Sequence, residues 1–283
     1  MEQTPPINVS HLFAPLDAHL MVLLRSLSAD DWSKPTVAKR WTVKDVAAHL
    51  LDGNIRALSM QRDGYFGLAA PQVTQSYAEL VHWLDNINHE WVQAAKRISP
   101  DVLIFLLEAT GAPTSIYFAS VNPWADAPFP VDWAGETKSF QWMHVAREYT
   151  EKWHHQQQIR DAVGQTEVLM TRELFYPCID TFMRGLPLTY TSIEAPAGTS
   201  VQVEVTREAG GAWYLERGQN GWALSQNHVS NPATRVVIPP DVAWKVFTKG
   251  ISYEKARERT EITGDIALGE HALTMVSVMA QKR

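Results

Sequence analysis

The sequence predicts an α+β chain, with a helical part over residues 1–187 and a smaller α/β part over residues 188–283. Three observations carry this prediction. Apolar residues recur at helical spacing early in the chain, as in Leu12, Phe13, Leu16, Leu20, Leu23, Leu24 and Leu27. Strict alternation of apolar and polar residues, the mark of a half-buried strand, comes late, in Ser200-Val-Gln-Val-Glu-Val-Thr206. Between the two textures lie Pro187, Pro196 and Gly198, a composition suited to a domain boundary.

Val9 to Leu27 reads as the first helix, and Ser28-Ala-Asp-Asp-Trp32 as its end and a new start. Thr42 is a good N-cap for a second helix with Val43, Val46, Ala47 and Leu50, and Asp45 three residues on completes a capping box. A third amphipathic helix spans Thr74 to Ile98, with Pro100 just past its end. Residues 99 to 139 read as mixed, with a proline- and tryptophan-rich loop from Asn122 to Trp133. A long helix follows from Phe140 to Gly164, then one from Arg172 to Arg184 in which Pro177 implies a kink or a late start. In the C-terminal part, strands are expected at Ser200–Thr206, Ala212–Glu216, Trp222–Ser225 and Thr234–Ile238, with Gly218-Gln-Asn-Gly221 as turn chemistry. Pro239-Pro240-Asp241 opens a helix through Phe247, and Tyr253 to Thr260 is a short charged helix. Ile262 to Ile266 reads as a last strand or turn and Glu270 to Ala280 as a closing helix.

Bulk properties narrow the function. The chain has 283 residues, 45% hydrophobic and 20% charged, with net charge −6, the profile of a soluble globular protein. No Lys/Arg run appears, which argues against nucleic acid as a partner. No apolar stretch approaches the ~20 residues of a membrane span, and Met1 to Ser10 lacks the pattern of a signal peptide, so a cytoplasmic location is expected. Cys178 is the sole cysteine and stands among apolar residues, as a buried core thiol does, so any thiol chemistry would use a thiol from outside.

The chemistry concentrates on the Phe140–Gly164 helix. His144, Glu148, Glu151 and His155 follow at steps of four, three and four, which keeps them on one helix face. Such a stripe is either solvated or built around a cation. Trp142, Val145, Tyr149 and Ile159 on the same helix indicate packing. Two ligands four apart plus a third from a neighbouring helix would hold a divalent metal and leave a position open, as catalytic zinc sites do. Glu151 and His155 are the first choice for the pair and His49 for the third, with His154 competing with His155. Nickel or iron would suit the same donors. His144 and Glu148, earlier on the stripe, are either further ligands or supporting partners of the ligands, or an ordinary surface pair four residues apart.

Two segments resemble one family. Asp31-Trp-Ser-Lys-Pro-Thr36, followed by Trp41-Thr-Val-Lys-Asp-Val-Ala-Ala-His49-Leu50, resembles the start of the mycothiol-dependent maleylpyruvate isomerase metal-binding domain, one of the DinB-like four-helix bundles. Glu151-Lys-Trp-His-His155 resembles its second metal motif. The resemblance implies His49, Glu151 and His155 as ligands, and so His155 over His154. Lys39-Arg40 stands where the family often has Cys-Gly, and Gln158 where it often has Asp, which alters a hydrogen bond behind the metal. The strand pattern, with Asp241-Val-Ala-Trp244, Gly250 and Gly264-Asp265, resembles the sterol-carrier-like α/β domain that follows the bundle and helps close the site in such proteins.

The resemblance implies a divalent-metal enzyme, with Zn2+ first and Ni2+ or Fe2+ as options, that uses a low-molecular-weight thiol as cosubstrate. It would be an isomerase or S-transferase in which a metal-bound thiolate attacks an electrophilic small-molecule substrate. Glu148 or His144 would then shuttle protons. Two alternatives stay open: a metal-dependent hydrolase, and a non-catalytic lipid- or small-molecule-binding protein with an apolar tunnel between the Ser200–Ile238 sheet and the Glu270 helix. Monomer and homodimer are both open.

Overall fold

The helix Gln141–Val163 (α5) runs through the interior, and much of the fold is arranged around it. A computed structural model describes residues 5–67, 76–225 and 227–280. Phe140 precedes the first turn of α5, and Gly164, in the left-handed region at φ 74°, ends it by the usual glycine route. Its polar residues are buried because each has a partner. Lys152 Nζ donates to Asp17 Oδ2 at 2.7 Å, Arg160 Nη2 to the His19 carbonyl at 2.9 Å, and Gln157 Nε2 to the Thr166 carbonyl at 3.1 Å.

The bundle is completed by Phe13–Arg25 (α1), Val43–Arg56 (α2), Tyr77–Ala95 (α3) and Pro100–Ser120 (α4). Helices α1, α2, α4 and α5 pack on one another, and α3 packs on α2. The expected capping box of α2 is present, with Thr42 Oγ1 accepting from Asp45 N and the Asp45 carboxylate accepting from Thr42 N. Beyond Arg56, α2 widens into a π-helical segment, Ala57–Arg62. Helix α3 starts at Tyr77 with Ser76 as its cap; the expected start at Thr74 lies outside the described residues.

Helix α4 corrects two expectations. Residues 99 to 139 are not simply mixed, because Pro100 is the first residue of a 21-residue helix capped by Ser99. Its sequence is apolar around most of its circumference and holds Pro113, so no amphipathic period marks it. It is also long and apolar enough, by length and composition, to cross a membrane, contrary to the reading that no stretch approaches that length. Here it lies against α1 and α2 in the bundle, with Leu103, Leu107 and Phe118 buried.

Arg172–Met183 (α6) packs on α5 and starts at Arg172 with Thr171 as its cap, so Pro177 causes no late start. Leu186–Thr189 (α7) leads into a mixed sheet. Among the described residues the sheet has five strands: Ser200–Val205 (β1), Gly211–Arg217 (β2), Trp222–Ser225 (β3), Thr234–Ile238 (β4) and Glu261–Gly264 (β5). Their order is β3-β2-β1-β4-β5, with β1 and β4 parallel and the other neighbours antiparallel. The inner-face residues Val203, Leu215 and Val236 are fully buried in one cluster with Trp244 and Phe247 of Pro240–Phe247 (α8). Tyr253–Glu258 (α9) follows α8 and precedes β5.

The expected closing helix from Glu270 to Ala280 is replaced by Ile266–His271 (α10) and a single turn, Ala272–Thr274; the chain then runs on without helix. Gly269 lets α10 lie this close to the sheet, since a Cβ there would stand 2.6 Å from Thr234 Oγ1 and 2.5 Å from Ile262 Cγ2. The helix that would have walled an apolar tunnel is therefore absent from Met275 to Ala280. Bundle and sheet share one core. Trp153 of α5 lies 5.3 Å from Phe175 of α6 and 6.3 Å from Trp244 of α8, ring centre to ring centre.

Candidate metal centre

Helix α2 presents His49, and α5 presents Glu151 and His155 one turn apart. The structure brings these three side chains together, with one potential ligand atom from each inside a span of 4.8 Å. His155 Nε2 stands 3.4 Å from Glu151 Oε2, and the imidazoles of His49 and His155 meet edge to face at 4.6 Å. His155 is buried, and His49 and Glu151 are half-buried. His49 Nδ1 is buried and makes no hydrogen bond. Two imidazoles and a carboxylate crowded this closely match the donor set of a divalent cation, and the unpartnered His49 nitrogen fits that reading.

Electrostatics point the same way. Burial, then the neighbouring His155, pushes His49 well below the usual imidazole range, so it is neutral and has a lone pair to give. Burial works to raise the Glu151 carboxyl, yet His154, His155 and Arg147 together hold it well below the usual carboxylate range. A neutral imidazole beside an ionised carboxylate is the protonation state that metal ligation needs.

A hydrogen bond behind the cluster sets the orientation of His155. Its Nδ1 lies 3.0 Å from Gln158 Oε1, an acceptor that favours the proton on Nδ1, and the ring turns Nε2 towards Glu151 and His49. The neutral Gln158 amide is a weaker acceptor than the Asp often found there in the family that the sequence resembles. His154 is engaged elsewhere. Its Nδ1–H donates to the Thr150 carbonyl at 2.7 Å, and burial followed by His155 pushes its pKa down to about 3. Trp41 covers one side, 4.7 Å from the His49 ring and 6.0 Å from the His155 ring.

His144 and Glu148, earlier on the same stripe, form a second polar group with two residues that the sequence reading missed. Arg147 Nη2 donates to His144 Nδ1 and to Glu148 Oε1, each at 2.8 Å. His144 Nε2–H donates to Gln61 Oε1 at 2.8 Å, and Gln61 Nε2 donates to Glu148 Oε1 at 3.4 Å. Gln61 comes from the π-helical end of α2, a kind of irregularity that often accompanies functional sites. Burial, then Arg147, pushes His144 well below its usual range and keeps it neutral. Gln61 carries no spacing signal, because its role exists only across the α2–α5 contact; Arg147, one residue from Glu148 and three from His144 on the same helix, could have been picked from spacing.

The last described residues return to this region. The Tyr77 hydroxyl of α3 donates to the Ala280 carbonyl at 3.1 Å, and Met279, like Trp142, packs on the Val131, Trp133 and Met143 cluster. Tyr77 is raised above the usual phenol range mainly by burial, with Asp132 and Glu151 adding to the shift. The tail of the α/β part thus lies against α3 and the N-terminal half of α5.

A helical bundle with a candidate cation cluster between two of its helices, joined to a mixed-sheet unit, defines the class of protein. The sequence profile of the mycothiol maleylpyruvate isomerase N-terminal domain matches residues 13–160, and the chain belongs to that family. The crystal structure of the mycothiol-dependent maleylpyruvate isomerase is similar in fold, with TM-score 0.53 and 12% identity over 90% of this chain and 91% of that one. A point variant of that enzyme gives TM-score 0.52 with the same identity and coverage. A comparison with curated protein sequences finds no match.

Proposed function

We propose that this chain is a divalent-metal-dependent enzyme that uses a low-molecular-weight thiol, of the isomerase or S-transferase type. The observation that carries the reading is the His49, Glu151 and His155 cluster, within 4.8 Å, in a member of the maleylpyruvate isomerase family. The solved relative is mycothiol-dependent, and a thiol of that kind is the proposed cosubstrate here. Zn2+ is the first choice of cation, and the donor set also suits Ni2+ or Fe2+. When bound, the cation supplies a Lewis-acid position that stabilises a thiolate near neutral pH.

The protein's own groups divide the remaining work. His49, Glu151 and His155 hold the cation, Gln158 fixes the His155 tautomer, and Trp41 shields one side from water. Glu148 is the proposed proton carrier, since its carboxylate is ionisable and its side chain keeps 18% exposure. His144 has both ring nitrogens engaged, so its role is to position Gln61 against Glu148. The substrate is a small molecule with an electrophilic carbon, such as an activated alkene.

Glu148→Gln keeps the shape and removes the proton-accepting charge. It is expected to lower kcat by about 10²–10⁴-fold while metal content stays at the wild-type level. Unchanged kcat would remove Glu148 from the chemistry. Turnover by the wild type with no thiol present would overturn the thiol requirement and favour a hydrolase.

A further inference from the structure

Helix α4 carries an apolar face turned away from the bundle. Val102, Phe105, Ala109, Ala112, Ile116 and Ala119 are exposed and follow at steps of three, four, three, four and three, so they line one side of the helix. Phe105 is 65% exposed and Ile116 69%, values foreign to the core helix of a monomer. Helix α1 widens this face. Val22, 69% exposed, stands one turn before Arg25, and Arg25 pairs with Glu108, which lies between Phe105 and Ala112.

We propose that this α1–α4 face is a homodimer interface, with α4 packed antiparallel on α4 of a second copy. Three features select a second copy as occupant. The spacing of the side chains, though not their identity, reads the same from both ends about a point midway between Ala109 and Ala112. A two-fold axis there sets Phe105 of one copy against Ile116 of the other, Val102 against Ala119, and the small Ala109 against Ala112 at the crossing. That is the self-complementarity that a two-fold interface demands. The only charged side chain among the outward positions from Val102 to Ala119 is Glu108, and Arg25 neutralises it within the same chain, so like faces do not repel. The dimensions also match. A 21-residue helix is about 30 Å long, and with α1 beside it the face is about 20 Å wide. Two such faces cover about 1,200 Å² in total, the lower edge of a stable interface.

The test is the mass of the full-length protein in solution, by light scattering and sedimentation, beside Phe105→Glu and Ile116→Glu. Both substituted side chains are solvent-facing in the single chain, so far-UV circular dichroism and Tm should be retained. The expected result is twice the chain mass for the wild type and half that value for each variant. Ala109→Cys combined with Ala112→Cys gives an independent readout: these positions face each other across the two-fold, so the double variant should form a disulfide-linked dimer on oxidation, against a quiet background because Cys178 is buried. A wild type that is monomeric up to high micromolar concentration would overturn the proposal. So would a dimer that survives both glutamate substitutions, or a monomer that binds phosphatidylcholine vesicles through this face.

Discussion

His49→Ala and His155→Ala are each expected to lose stoichiometric divalent metal, with affinity falling by more than about 100-fold, beyond what the loss of a supporting hydrogen bond produces. Each substitution deletes one of three donors held on separate turns of two helices, and nothing adjacent can replace it. His154 is nearest in sequence to His155, but its Nδ1–H is committed to the Thr150 carbonyl. His154→Ala should therefore retain metal, although it removes a buried ring that lies tilted against His155, 4.0 Å from it centre to centre. Gln158→Ala should fall between these limits, at about 10–100-fold weaker binding, because it frees the His155 tautomer without removing a ligand. Elemental analysis and competition with a chromophoric chelator would read all four. Metal retained by His155→Ala and lost by His154→Ala would reverse the ligand assignment.

The second large effect concerns the core shared by bundle and sheet. Trp153→Ala is expected to destabilise the whole chain by about 3–5 kcal/mol and to lower Tm by roughly 5–8 °C. The indole is fully buried between Phe175 and Trp244 and so ties α5 to α6 and α8. Its Nε1–H is buried without a partner, a state that costs about 1–3 kcal/mol. Trp153→Phe removes that donor along with part of the ring, so it should cost well under half as much as alanine. Circular dichroism at a helix-dominated wavelength and a probe in the sheet should shift together. Two separated transitions, with only the helical one moved by Trp153→Ala, would show that residues 1–187 and 188–283 unfold as independent units.

What the sequence discloses depends on whether a signal is local. The α2 capping box, the extent of α5 and the strand alternation of β1 are set by residues a few positions apart, and each was legible. Helix α4 was not, because a helix apolar on nearly every side has no period to detect, and Ser99-Pro100 looks equally like the end of one helix and the start of another. The segment from Glu270 to Ala280 departs from the expected helix because Gly269 ties α10 to the sheet, and the course beyond Thr274 follows tertiary contacts.

The candidate site divides along the same line. Glu151 and His155 share a helix face and can be picked from spacing. The choice of His155 over His154, and of His49 as third member, came from family resemblance. The geometry adds the hydrogen bond to Thr150 as the physical reason why His154 stands apart. Gln61 can be found only once α2 and α5 are placed side by side, whereas Arg147 lies within α5 beside His144 and Glu148.

The most direct test of the proposed chemistry is to load the protein with Co2+ and titrate it with a low-molecular-weight thiol while recording the near-ultraviolet and visible spectrum. A thiolate-to-cobalt absorption band that grows to saturation with thiol, and is absent from His155→Ala, is the predicted result. Cobalt that binds at one equivalent while thiol leaves its spectrum unchanged would contradict the thiol-dependent reading.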